Sequence, residues 1–177
     1  APSVLAQAYI PDDVAKRDRA FQGAKDIIAE IGSDDPQGRK LIRYAVRNHA
    51  SIVTKGADED LGVYEMYKEY SEPVKSIADH RILAINRGEK EGKLKVTLDF
   101  DKTIATDLLF NIHLKNNNAC TDLVIEAVED SYSRLIFPSI EREIRNELTD
   151  KASESSIKVF AENTRQLLMQ PPVKGNV

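Results

Sequence analysis

The chain has 177 residues, of which 41% are hydrophobic and 31% charged, with eight Gly, seven Pro and no Trp. That length suits one domain with a sizeable core, and the low Gly and Pro content favours helix over sandwich or barrel. A net charge of −4 excludes a uniformly basic nucleic-acid binder, although it leaves room for a local patch.

Cys120 is the single cysteine, so no internal disulfide forms, which fits a reducing cytoplasm. No segment has the run of apolar residues that crosses a bilayer, and no signal peptide is visible. An initial Ala1 and the polar tail Pro172–Val177 are expected of a fragment cut from a longer protein.

In chain order, Ala1 to Ile10 carries a short apolar face that Pro11 stops. Asp12 or Asp13 is placed to cap a helix through Ile31, with Phe21, Ala24, Ile28 and Ile31 inward and Gly32 as its stop. Asp35-Pro36 opens a second helix with cap and first-turn proline in the expected order. Its buried side is Leu41, Ile42, Ala45 and Val46; its basic side is Arg39, Lys40, Arg43 and Arg47, a face that is more often solvated than phosphate-binding.

Ile52-Val53-Thr54 is β-like, and the Asp58, Glu59, Asp60 cluster lacks the glycine and distal glutamate of a calcium loop. Tyr64, Tyr67 and Tyr70 recur every third residue, a spacing that favours core over base stacking. Ser71-Glu72-Pro73 opens another turn, and Asp79 is placed to cap a helix bearing Ile82, Leu83, Ile85 and Asn86. Gly88 and Gly92 bracket a helix end without Walker spacing.

Leu94 to Phe100 alternates strictly and is the clearest strand; it needs a partner, and Ile52–Lys55 is the best candidate. Asp101 caps a helix with Ile104, Leu108, Leu109 and Ile112, which Asn116–Asn118 ends. Thr121 or Asp122 caps the next, and Pro138 follows it as a kink or a first-turn residue.

Pro138 to Pro171 then forms one long amphipathic helix of about 48 Å. Its stripe is Ile140, Ile144, Leu148 and Ala152, resumed by Ile157, Phe160, Ala161, Leu167 and Leu168. Five basic residues against six acidic ones, with Glu141–Arg145, Glu147–Lys151 and Glu154–Lys158 at i,i+4, make it architectural rather than phosphate-tracking. The fold class is therefore mainly α, a multi-helix domain organised on one long C-terminal helix, with a minor β element.

No nucleophile–base set or metal cluster stands out. His49, His80 and His113 lie far apart, and Cys120 precedes a helix start without a partner. The expectation is a protein that is not an enzyme and needs no cofactor. Asp79 to Lys95 carries five basic residues against three acidic ones, which makes Arg81, Arg87, Lys90 and Lys93 the candidate nucleic-acid contact.

Several stretches together resemble the Tex family of bacterial transcription accessory proteins. They are Tyr70-Ser-Glu-Pro-Val-Lys-Ser-Ile77, His80-Arg-Ile-Leu-Ala-Ile-Asn-Arg-Gly-Glu-Lys-Glu-Gly92 and Arg134-Leu-Ile-Phe-Pro-Ser-Ile-Glu-Arg-Glu-Ile-Arg-Asn-Glu-Leu148. Ala24-Lys-Asp-Ile-Ile-Ala-Glu30 fits as well, and Phe160 to Gly175 looks like the family's passage into its RNase H-like domain. The resemblance implies a helical scaffold over 1–170, with 171–177 a linker into that domain. It implies helix-hairpin-helix elements and an RNA-binding OB-fold further downstream. Whole Tex proteins bind nucleic acid and act in transcription, so the implied partners are RNA or DNA and the transcription machinery, in the cytoplasm. The alternative is a module that docks RNA polymerase or another transcription partner.

Overall fold

The computed structural model describes residues 14–113 and 121–170. The calls on Ala1–Ile10, Asp12, Asp13, Asn116–Asn118, Cys120 and the 171–177 tail lie outside the described residues. Among the described residues six helices and a three-stranded sheet follow in the order α1 (Val14–Ser33), α2 (Pro36–His49), β1 (Ser51–Gly56), a 3-10 turn (Gly62–Tyr67), β2 (Glu69–Pro73), α3 (Asp79–Lys90), β3 (Leu94–Asp99), α4 (Lys102–His113), α5 (Thr121–Ser131), a π-helical stretch (Tyr132–Ile136) and α6 (Phe137–Leu168). The chain divides into two compact units, one of residues up to Ala50 with Asp99–Ile144, the other of Ser51–Leu98 with the residues from Arg145 onward.

The first unit is helical. α1 continues through Gly32 to Ser33, whose hydroxyl donates to the Glu30 carbonyl at 2.8 Å and so closes the last turn. Among its described side chains Ala29 and Ser33 are buried and Ile28 is half-buried, while Ala24, expected inward, is exposed; the side chains of Phe21 and Ile31 lie outside the description. Asp35 caps α2 as expected, accepting from the Gln37 and Gly38 amides at 3.1 Å each, with Pro36 in the first turn. Gly38 is packed closely: a Cβ there would lie 3.1 Å from Leu109. Ile42, Ala45 and Val46 are buried, whereas Leu41 is not.

Asp101 caps α4 by accepting from the Thr103 amide at 2.9 Å and its hydroxyl at 2.7 Å, which holds the carboxyl below its usual range. Ala105 and Leu109 form the deep side of α4, and Ile104 is partly exposed. α5 presents Ala127 and Val128 inward, and the Ser131 hydroxyl donates to the Ala29 carbonyl at 2.8 Å, tying α5 to α1. Tyr132 is buried beside Phe137, ring centroids 5.5 Å apart; burial, then the Asp101 charge, pushes its phenol up to about 12.

Pro138 lies in the first turn of α6, one of its two expected placements, but it leaves no gap between the helices. The chain stays helical from Thr121 to Leu168, and the widened π turn immediately before Pro138 accommodates the residue. A proline lacks its own N–H and crowds the carbonyl four residues back; a π turn shifts that carbonyl's bonding by one residue and relieves the conflict. Ile136, Ile140 and Ile144 are each 1% exposed or less and complete this unit's core with Ile42, Val46 and Leu109.

The second unit holds the sheet, in the order β2-β1-β3. β3 alternates as expected, with Leu94, Val96 and Leu98 buried, and its neighbour is the expected β1. β1 also pairs antiparallel with β2, from Ser51 opposite Pro73 to Lys55 opposite Glu69. The Ser71–Pro73 stretch is thus the end of an edge strand, and the expected turn follows it directly, with the Ser76 N–H donating to the Pro73 carbonyl at 3.1 Å. Tyr64 and Tyr67 are core residues, consistent with their spacing, and the buried Thr54 hydroxyl bonds the Tyr67 carbonyl.

Asp79 is the first residue of α3 rather than its cap, which is Ala78. α3 ends on Gly92, at φ +73°, with Gly92 N–H donating to Glu89 O and Lys93 N–H to Gly88 O, both at 2.9 Å. That is a left-handed glycine terminus, which a side chain at Gly92 would strain.

From Arg145 onward α6 packs in this unit only as far as Ala152, which is fully buried. Arg145 forks onto Glu89, and Asn86 Nδ2 donates to Thr149 Oγ1 at 2.8 Å. Arg145 thus reaches a tertiary carboxylate. Beyond Ala152 the apolar residues do not resume that stripe, because seventeen or more residues of regular helix turn them to another side, and they are open to solvent: Ile157, Phe160, Leu167 and Leu168 are each at least two-thirds exposed. No helix among the described residues is long and apolar enough to cross a membrane.

Candidate nucleic-acid interface

Arg81, Arg87, Lys90 and Lys93 sit on and just after α3. Arg87 and Lys90 fall in its last turn, where cations complement the partial negative charge of unpaired carbonyls. Arg81 Nη1 donates to Glu72 Oε1 and Oε2 at 2.9 and 3.0 Å and to the Tyr70 hydroxyl at 2.9 Å. Its guanidinium lies 6.0 Å from the Tyr70 ring centre, and Tyr70 stands edge-on to Tyr67. The Tyr70 hydroxyl in turn donates to Glu72. Burial and then the Glu72 charge raise the Tyr70 phenol, while the bond from Tyr70 and the charge of Arg81 hold Glu72 low.

Arg87 Nε pairs with Glu91 at 2.9 Å, and that bond, with one from Tyr64, holds Glu91 below its ordinary value. Lys93 Nζ reaches Asp58 Oδ2 at 2.6 Å and the Asp60 carbonyl at 2.8 Å; the Asp58 bond raises the ammonium pKa and lowers that of Asp58. The acidic loop therefore closes on Lys93. Lys90 is exposed.

Arg81 lies in the first turn of α3 and the other three at or beyond its last turn, and three of the four cations meet carboxylates. Two of those carboxylates, Glu72 and Asp58, come from outside the Asp79–Lys95 window, so its sequence charge of +2 overstates the local field. Beside this cluster Val63, Met66, Leu83 and Arg87 help line an open depression of about 590 Å³.

A second basic surface lies in the other unit. α2 holds four basic residues and no acidic one between Pro36 and His49. Lys40, Tyr44 and Arg47 are exposed, at i, i+4 and i+7, hence on one face. With Arg43 and Glu143 they line an open depression of about 450 Å³. Arg43 is held there by a two-pronged contact, Nε to Glu143 Oε1 at 2.7 Å and Nη2 to Oε2 at 2.9 Å. Arg39 is directed to the Ser139 hydroxyl at 2.7 Å and the Ser33 carbonyl at 3.2 Å. Sequence reading weighs the basic residues of this face for phosphate and sets them down as solvated, because a basic helical face is common. The missing carboxylates and the large aromatic among the cations were the available signal.

Among the described residues no group of three His, Cys, Asp or Glu side chains is placed to hold a metal ion. His49 and His80 belong to different units.

Residues 1–160 match the family model described as Tex central region-like. The chain is 46% identical to the YdcI protein of Bacillus subtilis over 180 residues, covering 98% of this chain and 25% of that protein. It is 28% identical to the transcriptional accessory protein Tex of Neisseria gonorrhoeae, covering 94% of this chain and 23% of that one. Similarity extends to the human S1 RNA-binding domain-containing protein 1, at 29% identity over 86% of this chain and 17% of that protein. The chain thus spans a quarter or less of the length of these relatives.

Proposed function

The chain belongs to the Tex central region-like family, and on that premise we propose that it is a helical scaffold segment of a Tex-like, nucleic-acid-binding transcription accessory factor. Its work is to position flanking domains along α6 and to add a weak nucleic-acid contact. No catalytic step is assigned to it, and a cytoplasmic location accompanies the reading. The names of two relatives, one a transcriptional accessory protein and one carrying an S1 RNA-binding domain, support the nucleic-acid setting.

One observation carries the scaffold role. α6 leaves Ile157, Val159, Phe160, Leu167 and Leu168 exposed along its last four turns. Solvated helix ends are normally polar, and a contiguous apolar surface of this kind marks an interaction site. The test replaces the matching quarter of the Bacillus subtilis relative with this chain and introduces Phe160→Asp into the chimera and into the isolated chain. The expected result is a melting temperature unchanged in the isolated chain and lowered by several degrees in the chimera. Equal behaviour in the two contexts refutes a seat for neighbouring domains.

The same exposed residues favour a second reading, a docking surface for RNA polymerase or another transcription partner. In that case Phe160→Asp leaves both melting temperatures unchanged and abolishes recovery of purified polymerase on the immobilised chimera.

A further inference from the structure

We infer that the outer turns of α6 seat a helix of a flanking domain of the same polypeptide, lying along α6 at a shallow angle and presenting carboxylates to Lys158 and Arg165. The inference rests on the scaffold reading above and names what the scaffold holds. Three observations carry it.

The first is spacing. Ile157, Phe160, Thr164 and Leu167 recur at intervals of three, four and three, with Ala161 and Leu168 beside them. That is the repeat of a helix packed along another at about 20°, where a side chain of one enters the space between four of the other. Ile157, Phe160, Ala161 and Thr164 enclose one such space, and the small Ala161 leaves it open. This face does not continue the buried one. Phe160 stands sixteen residues after Ile144, which at 3.6 residues per turn is about 160° around the helix. A covering element therefore approaches α6 from the side away from its packed face.

The second is area. Ile157, Phe160, Leu167 and Leu168 are 67–80% exposed and together offer on the order of 500 Å² of apolar surface. Against an equal surface that hides about 1,000 Å², within the range of interfaces between domains of one chain and short of the about 1,200 Å² at which independent partners form stable complexes. A tethered element needs no more, because its effective concentration is millimolar. This chain covers 25% of the length of its Bacillus subtilis relative, so the relative's remaining sequence has room for such an element.

The third is charge. Lys151 is the last cation of α6 to meet a carboxylate among the described residues, 3.9 Å from Asp79. Lys158 and Arg165 are exposed, stand two turns apart along one border of the apolar face, and meet no carboxylate among the described residues. Glu154 shares that border one turn earlier, and the opposite border, Ser156 and Asn163, carries no charge. A covering helix that is acidic opposite residues 158–165 matches this pattern and fixes which of its flanks faces which.

The test compares melting temperatures of the 177-residue chain and of the chimera with the Bacillus subtilis relative. Ala161→Leu adds apolar surface but fills the space between its neighbours. Lys158→Glu with Arg165→Glu reverses the charged border, and Phe160→Asp removes the apolar contact. All four positions are exposed, so each variant of the isolated chain is expected to stay within about 2 °C of its parent. In the chimera each is expected to lower the melting temperature by several degrees. Carbodiimide, which joins touching amines and carboxylates, is expected to link Lys158 to a carboxylate of the chimera's flanking sequence.

A chimera insensitive to all three overturns the scaffold reading and this inference together. Sensitivity to Phe160→Asp with Ala161→Leu neutral or stabilising shows a seat that holds no helical ridge and overturns this inference alone. A charge reversal without effect does so too, as do Lys158 links confined to α6. Sedimentation of the parent chain as a dimer that Phe160→Asp dissociates identifies a second copy as the occupant and refutes the flanking helix. Recovery of purified polymerase that Phe160→Asp abolishes, with chimera melting unchanged, identifies a free partner and refutes it equally.

Discussion

Ile140→Ala is expected to destabilise the chain by about 3 kcal/mol, whereas Phe160→Ala is expected to change its stability by less than about 0.5 kcal/mol. Both side chains are large apolar residues of α6, and the sequence expectation places them on one stripe. The difference is packing. Ile140 is fully buried in the first unit, so truncation loses its transfer free energy and leaves a cavity that the neighbouring isoleucines and valines refill only in part. Phe160 is 73% exposed, so its removal takes away little that folding had buried. Urea unfolding monitored by far-UV circular dichroism measures both changes. A Phe160→Ala loss comparable with that of Ile140→Ala would mean that the outer turns of α6 are packed within this chain.

Ser153→Pro is expected to cost about 3 kcal/mol, a large part of the 5–15 kcal/mol that stabilises an ordinary domain. The proline removes the N–H that bonds the carbonyl one turn back, at Thr149, and drives its ring against that carbonyl. This turn is engaged. The Thr149 hydroxyl donates to the Arg145 carbonyl and accepts from Asn86, each at 2.8 Å, and Ala152 is fully buried. Lys158→Pro makes the same covalent change only five residues on, where the side chains from Ser156 to Asn163 are exposed. It is expected to lower helical signal while leaving the urea midpoint within error. Equal midpoints for the two variants would contradict a packing limit at Ala152.

Much of this architecture is legible in the sequence where local chemistry decides it. Asp35-Pro36 and Asp101 cap α2 and α4 because a carboxylate satisfies the free amides of a first turn wherever the helix is placed. The alternation of Leu94, Val96 and Leu98 marks β3, and its need for a partner points to β1. β2 is hidden for the converse reason. Glu69, Ser71 and Pro73 are exposed and Tyr70 and Glu72 half-buried, so the strand carries no apolar alternation, and Pro73 at its end reads as a turn although an edge strand tolerates it.

The candidate site was legible only in part. A window of sequence counts the cations of α3 but not the Glu72 and Asp58 carboxylates that folding brings to them. The four-residue spacing of Ile140, Ile144, Leu148 and Ala152 marks a buried face, yet the apolar residues beyond them fall on a different side of α6, and spacing cannot show whether a given turn has a partner. Burial stops at Ala152 while the apolar pattern runs on to Leu168. The discrepancy between pattern and packing is what the scaffold reading explains.

Amide hydrogen exchange over residues 153–168 tests that reading most directly, measured on the isolated chain and on the chimera with the Bacillus subtilis relative. Helical turns without tertiary packing open at little free-energy cost, whereas docked turns exchange through larger openings. The account predicts rapid exchange in the isolated chain and at least tenfold slower exchange in the chimera, with residues 140–152 protected in both. Equal, rapid exchange of 153–168 in both proteins would contradict it.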